Sequence, residues 1–222
     1  LLDLDRFYQA CNPSRPLMME NAVDRSYYID FAQVRGGKII EALGRTITRI
    51  SPNTPTCQLF TGHIGCGKST ELWRLKAELE QAGFHVVYFE STQVLDVVDL
   101  DVTDILIAIA GQVSESLEAI NIRLKPGYFN KLFGEIVNFL QTPLDLELQG
   151  ELSVGIAKIT AKTKESPNLR RRLRDYLEPR TENILNSINT ELLARAITEL
   201  KAKGKKGLVV IVDNLDRVDI RP

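Results

Sequence analysis

Gly62-His63-Ile64-Gly65-Cys66-Gly67-Lys68-Ser69-Thr70 fits the phosphate-binding pattern GxxxxGK[ST] at every fixed position. A short apolar run, Gln58-Leu59-Phe60, precedes it, and a helical pattern begins directly after it. A loop held between strand and helix aims several backbone N–H groups at one phosphate, with the positive end of the helix dipole behind them. Glycine lets the backbone come that close without a Cβ clash. All nine residues from Gly62 to Thr70 are therefore expected ligand contacts. Lys68 is expected to reach the β- and γ-phosphates, and the Ser69 hydroxyl to sit on Mg²⁺. The stretch points to a nucleoside triphosphate.

Far along the chain, Gly207-Leu208-Val209-Val210-Ile211-Val212-Asp213 is a continuous apolar run ending in an acid. Such runs read as strands buried on both faces of a parallel sheet. Open α/β sheets place their ligands at the carboxyl ends of their strands. Asp213 is thus the natural second anchor for Mg²⁺.

The chain has 222 residues, 44% of them hydrophobic, which suffices for a domain with a real core. Its net charge of −1 gives no global attraction to nucleic acid or to an anionic membrane. Cys11, Cys57 and Cys66 are scattered without CxxC spacing, which speaks against a disulfide framework or a zinc site. No signal peptide and no apolar run near 18 residues is visible, so a soluble, cytoplasmic protein is expected. The chain starts Leu1-Leu2 and stops at Pro222, just past the second motif, so both ends look cut.

Between the motifs the reading is α/β. Residues 2–10 suit a short helix, ended by Asn12-Pro13-Ser14-Arg15-Pro16. Tyr27 to Phe31 is aromatic and extended in character, and Ile39, Ile40, Leu43, Ile47 and Ile50 mark one helix face. Gln58 to Thr61 is expected as the first core strand. A helix from Ser69 to about Ala82 follows, stopped by Gly83, and His85 to Glu90 is the next buried strand. Strand, helix and strand in about 30 residues make a βαβ unit, hence a parallel sheet with a right-handed crossover.

From Ala77 to Ile122 there is no Lys or Arg, while acids accumulate; a solvated acidic face is the default reading and an acidic docking surface the alternative. Helices are expected over about 103–120 and 128–141. Leu144, Leu146, Leu148, Leu152, Val154 and Ile156 then alternate with other residues around Gly150, the pattern of a hairpin with one buried face. Residues 124–180 read as an insertion and a surface for protein partners or self-association. Ser166-Pro167 opens another helix as N-cap and first residue, and Pro179 interrupts it. The last helix uses Ile184, Ile188, Leu192, Ala196, Ile197 and Leu200 and closes at Gly204. Arg170, Arg171, Arg172 and Arg174 form a basic run. Its default is a solvated face, with a neighbouring subunit's phosphates or the acidic stretch as alternatives.

The loop at 62–69, the strand ending in Asp213 and the tail Asn214-Leu215-Asp216-Arg217 together resemble STAND-type and KAP-type P-loop NTPases, relatives of the AAA+ ATPases. Arg35-Gly36-Gly37, ahead of a helix, looks like the upstream box that packs near the adenine in those families. The resemblance implies ATP as ligand, Mg²⁺ as cofactor and a role as a regulated switch within a larger multidomain protein. It departs from the AAA+ pattern at Asn214, where an acid would stand. Asp216 is the substitute that the STAND and KAP pattern suggests for positioning the hydrolytic water.

The organisation expected is a helical lead-in over 1–55 and an incomplete P-loop NTPase domain over 56–222. Its parallel core sheet is flanked by helices, and it carries the helix-plus-hairpin insertion. Lys68, Asp213 and Asp216 are the expected catalytic residues, and Ser69 and Asp213 the metal ligands. His63 and Arg217 are further candidates for contact. The leading function is an ATP-dependent, ATP-hydrolysing regulatory switch. The alternatives are a non-hydrolysing nucleotide-binding module and an AAA+-like ATPase acting on protein or nucleic acid. A small-molecule phosphotransferase would need a second convergent pocket. Nucleic acid is disfavoured by the charge balance and the lack of aromatic residues among the arginines.

Overall fold

Two six-residue runs become strands β1 (His85–Glu90) and β2 (Leu208–Asp213), which pair in parallel from His85↔Leu208 to Glu90↔Asp213. The computed structural model that carries this pairing describes residues 4–12, 15–34, 37–51, 53–95, 100–122 and 166–215. The chain divides into two compact units, Leu1–Ala82 and Gly83–Pro222.

In the second unit, alternation along the strands sorts the side chains onto two faces. Val87, Phe89, Leu208, Val210 and Val212 turn to a helical layer and join one hydrophobic core with it. Tyr88, Glu90, Ile211 and Asp213 leave on the other face. The helical layer begins after the short α5 (Ser91–Val94) with α6 (Val102–Ala119). Asp101 caps α6, and Asp104 returns a bond to the Asp101 N–H, a reciprocal capping box. Ile107, Ala110, Val113 and Leu117 form its buried stripe. Helix α7 (Pro167–Leu177) opens as expected, with Ser166 accepting from the Leu169 N–H and Pro167 in the first turn. Pro179 falls within a 3₁₀ turn, Glu178–Arg180, that separates α7 from α8 (Thr181–Ser187).

Helix α8 continues through a π-helical turn, Ile188–Leu193, into α9 (Ala194–Ala202). Ile184, Ile188, Leu192, Ala196 and Leu200 are all buried, at strict four-residue spacing. Four residues overshoot the 3.6-residue turn of an α-helix by about 40°, so such a stripe walks around a regular helix. The π turn, with i→i+5 bonds, is wider; four residues fall short of it, and the drift is reversed. The irregular turn thus keeps all five side chains on the core. Gly204, at φ +82°, ends the helix and feeds β2.

The basic run divides by burial. Arg171 and Arg172 are exposed, but Arg170 is only 5% exposed, and Arg174 donates to Asp104 at 2.8 Å. A fully solvated face is therefore corrected for two of the four. One of the acids of the Ala77–Ile122 stretch is likewise spent on an internal ion pair, between the start of α6 and α7.

The first unit holds α1 (Leu4–Ala10), α2 (Ala22–Tyr27), α3 (Ile39–Arg45) with a π turn at Thr46–Ile50, and α4 (Lys68–Gln81). The α2 helix takes in Tyr27, which read as extended. Gln58 to Thr61 is not a strand: it carries no ladder among the described residues, and Leu59 is 86% exposed. Leu59 and Phe60 alone offer too little apolar surface to hold a strand in place, unlike the six-residue runs of β1 and β2. The expected helix at 128–141, the hairpin at 144–156 and most of the 124–180 insertion lie outside the described residues. Among the described residues, no helix is long and apolar enough to cross a membrane.

Leu200, fully buried at the end of the α8–α9 stripe, is a direct test of this core. Leu200→Ala is expected to lower stability by about 2–5 kcal/mol in denaturant titration. Leu185→Ala, on the exposed side of α8, should cost less than about 1 kcal/mol.

Candidate functional site

The loop ahead of α4 is shaped by glycines in the left-handed region. Gly65 has φ +81° and Gly67, the N-cap of α4, has φ +84°. Side-chain-bearing residues seldom take those angles. A Cβ at Gly62 would meet Cys66 Sγ at 2.9 Å, so a side chain at position 62 would have to displace that sulfur. Gly67 offers no side-chain cap, and the positive end of the α4 dipole lies at the loop.

Lys68 Nζ donates to the carbonyls of Gly62 (2.9 Å) and His63 (3.2 Å), which stations the ammonium across the loop. Ser69, in the first turn, is half-buried, while His63 and Ile64 stand exposed at the loop tip. The structure therefore draws Gly62 to Ser69 into a tight loop, closed by a bond from the Cys66 N–H to the His63 carbonyl, with the Lys68 ammonium held against it.

Thr70 has a different engagement. Its Oγ1 accepts from the Leu17 N–H at 3.2 Å. The next residue, Glu71, is buried, accepts from the Tyr28 hydroxyl at 3.0 Å and pairs with Arg74 at 3.5 Å. Arg74 also donates to the Tyr28 oxygen, and Lys76 pairs with Glu20 and Glu80. Asp24 is buried too, and it holds the strap's own turn by accepting from Arg15 and from the Met18 N–H. Residues 15–28 thus form a polar strap along the phosphate-loop helix. Charged residues at scattered spacing carry no periodic signal, so the strap was not legible in the sequence. Burial, followed by the bond to Glu71, pushes the Tyr28 phenol above its ordinary range.

The other expected site residues belong to the second unit. Asp213 ends β2 and is only 2% exposed. Its Oδ2 accepts from the Tyr88 hydroxyl at 2.7 Å, and its Oδ1 from the Asn214 N–H at 2.7 Å. Asn214 sits in the left-handed region at φ +62°, and its carbonyl accepts from the fully buried Ser91 hydroxyl at 2.9 Å. Tyr88 and Ser91 are the residues that motif reading missed. Tyr88 looks like one more apolar strand residue, and only the parallel register reveals its partner 125 positions away. Asp216 and Arg217 lie outside the described residues.

Residues 37–222 match a family model described as the KAP family P-loop domain. No curated protein and no solved structure matches the chain.

Removing the Tyr88 hydroxyl leaves a buried carboxylate short of a donor. Tyr88→Phe is expected to cost about 1–3 kcal/mol of stability. The loss should shrink in an Asp213→Asn background, a coupling readable from a double-mutant cycle. Tyr28 gives a pH signature. Its folded pKa lies above the unfolded value, so its contribution is complete below pH about 10 and is lost as pH rises through the folded value. Tyr28→Phe should lower stability at neutral pH, where the buried Glu71 loses a donor, and flatten the alkaline fall of the stability curve.

Proposed function

The chain belongs to the KAP family of P-loop domains, and from that premise we propose that it binds and hydrolyses ATP as a nucleotide-dependent regulatory switch. The observation that carries this reading is the loop itself. Left-handed glycines at 65 and 67 shape the turn into α4, and Lys68 is held across it by the carbonyls of Gly62 and His63. The 62–70 segment holds the phosphates, with Thr70 contributing backbone while its hydroxyl serves the strap.

Mg²⁺ is the proposed cofactor, with Ser69 and Asp213 as its protein ligands; the pairing of the two rests on the family's motif order. Both are hard oxygen donors, of the kind Mg²⁺ takes alongside phosphate oxygens and water. Among the described residues no three His, Cys, Asp or Glu side chains gather to hold a metal unaided, which accords with an ion shared with the nucleotide. Bound there, Mg²⁺ supplies charge neutralisation for the phosphates. Lys68 does the same from the loop side, Asp213 is oriented by Tyr88, and Asp216 is the acid that the family pattern offers for positioning water.

The relation to STAND-type and AAA+ ATPases, protein partners at the 124–180 insertion, and a cytoplasmic setting are further parts of the proposal. Switching requires that the γ-phosphate contact two forms of the protein differently. A second reading, a nucleotide-binding module that does not hydrolyse, draws on Asn214, which puts an amide where an acid would follow Asp213.

Titration calorimetry with ATP and GTP, with and without Mg²⁺, tests the reading. Mg²⁺-dependent ATP binding is expected for the wild type, with a loss of about 10-fold or more in Lys68→Ala. Equal binding by the variant would remove the loop from the site. Binding without phosphate release would favour the non-hydrolysing module.

A further inference from the structure

We propose that Thr70 and Tyr28 are positioning residues for the phosphate loop, an inference that rests on the reading of that loop as a nucleotide site. Through them the strap at 15–28 docks on α4, and docking and nucleotide binding form one coupled equilibrium. All the residues concerned lie in the first unit, Leu1–Ala82.

The coupling runs through the first turn of α4. Gly67, in the left-handed region at φ +84°, is its N-cap, and Lys68 is its first residue. The turn closes where the Glu71 N–H donates to the Gly67 carbonyl at 3.1 Å. Strap residues hold that same turn from outside. The Tyr28 hydroxyl donates to Glu71 Oε1 at 3.0 Å, and Arg74 donates to the Tyr28 oxygen. One short chain of bonds therefore runs from Tyr28 through Glu71 to the glycine that ends the loop. The Leu17 N–H adds a second hold, donating to Thr70 Oγ1 at 3.2 Å, one residue after Ser69.

Docking is carried by polar contacts. Among the described residues of the strap, Met19 is the only buried apolar side chain. A segment with one such anchor opens at a lower free energy than a core helix. Asp24 ties Arg15 and the Met18 N–H together within the strap, so its turn is held by its own bonds. Once the strap opens, the first turn of α4 loses both holds, and a bound phosphate must order it alone. A docked strap has already removed that conformational freedom from the binding step. Nucleotide therefore binds the docked form more tightly, and by reciprocity it favours docking by the same factor.

The test measures backbone hydrogen exchange over 15–28 in the full chain, at rising Mg-ATP concentration, beside Mg-ATP affinity by calorimetry. Without nucleotide the strap is expected to exchange faster than α3, opening before the unit unfolds. Mg-ATP should slow strap exchange about 5-fold or more, by a factor that levels off at saturation. Exchange through unfolding of the whole unit would instead keep falling with concentration. Thr70→Val and Tyr28→Phe should each speed strap exchange about 3–10-fold, and Thr70→Ser, which keeps the oxygen, should restore it. The double variant Thr70→Val/Tyr28→Phe should lose Mg-ATP affinity, by no more than the factor by which nucleotide slows the wild-type strap. Should it fail to fold, the wild-type exchange series decides. Strap exchange indifferent to Mg-ATP overturns the proposal and leaves the binding reading standing. So does wild-type affinity in a double variant whose strap exchanges freely. Affinity lost in Thr70→Val with strap exchange unchanged also overturns it, and assigns the hydroxyl to the nucleotide itself. A wild type that binds no Mg-ATP removes both readings.

Discussion

Parallel pairing of residues 85–90 with 208–213 is the constraint on which the second unit depends. A parallel neighbour cannot be reached by a hairpin, so the chain must cross over before it returns. Here the crossover runs from Ser91 to Gly207, and its described helices provide the apolar layer for Val87, Phe89, Val210 and Val212. The register that buries those four also decides what leaves on the other face. A slip of one residue along β2 would send Asp213 into the core and expose valines in its stead. The burial of aliphatic side chains on one side is therefore what aligns Tyr88, Glu90 and Asp213 on the other.

The first unit is organised by polar contacts instead. Lys68 and Ser69 open α4 and face the phosphate loop, while Thr70 and Glu71, on the same turn, are gripped by Leu17 and Tyr28. Part of this grip is charged and partly buried: Glu71 lies between Arg74 and the Tyr28 hydroxyl. Breaking one partner of such a group costs more than the bond itself, because the remaining charge is left desolvated. The strap is thus a stiff support for the helix whose amides receive the phosphate, and rigid backing is what a preorganised anion site needs.

Much of this was legible in the sequence where chain-local chemistry decides structure. The bounds of β1, the helices at 68–81 and 102–119, the Ser166 cap and the glycine stops at 83 and 204 all follow from apolar period and turn residues. The phosphate loop followed from its spacing alone, and the family match accords with it. Long-range pairing was illegible. No local signal links Tyr88 to Asp213, Arg174 to Asp104 or Tyr28 to Glu71, since each bond joins residues more than forty positions apart. Gln58 to Thr61 failed for the converse reason: its position before the loop suggested a strand, but Leu59 finds no cover. A motif fixes what a segment is for more readily than it fixes the segment's own hydrogen bonds.

The π turn at Ile188–Leu193 sets a rule for chain length. Elsewhere in the helix from 181 to 202, gaining or losing one residue would rotate everything downstream by about 100° and turn Ala196 and Leu200 away from the core. Within the wide turn, one residue can be dropped and the segment relaxes to a regular α-helix with its flanking faces still in phase. This turn is therefore the one place in that helix where homologous chains could differ by a residue and still deliver β2 in the same register beside β1.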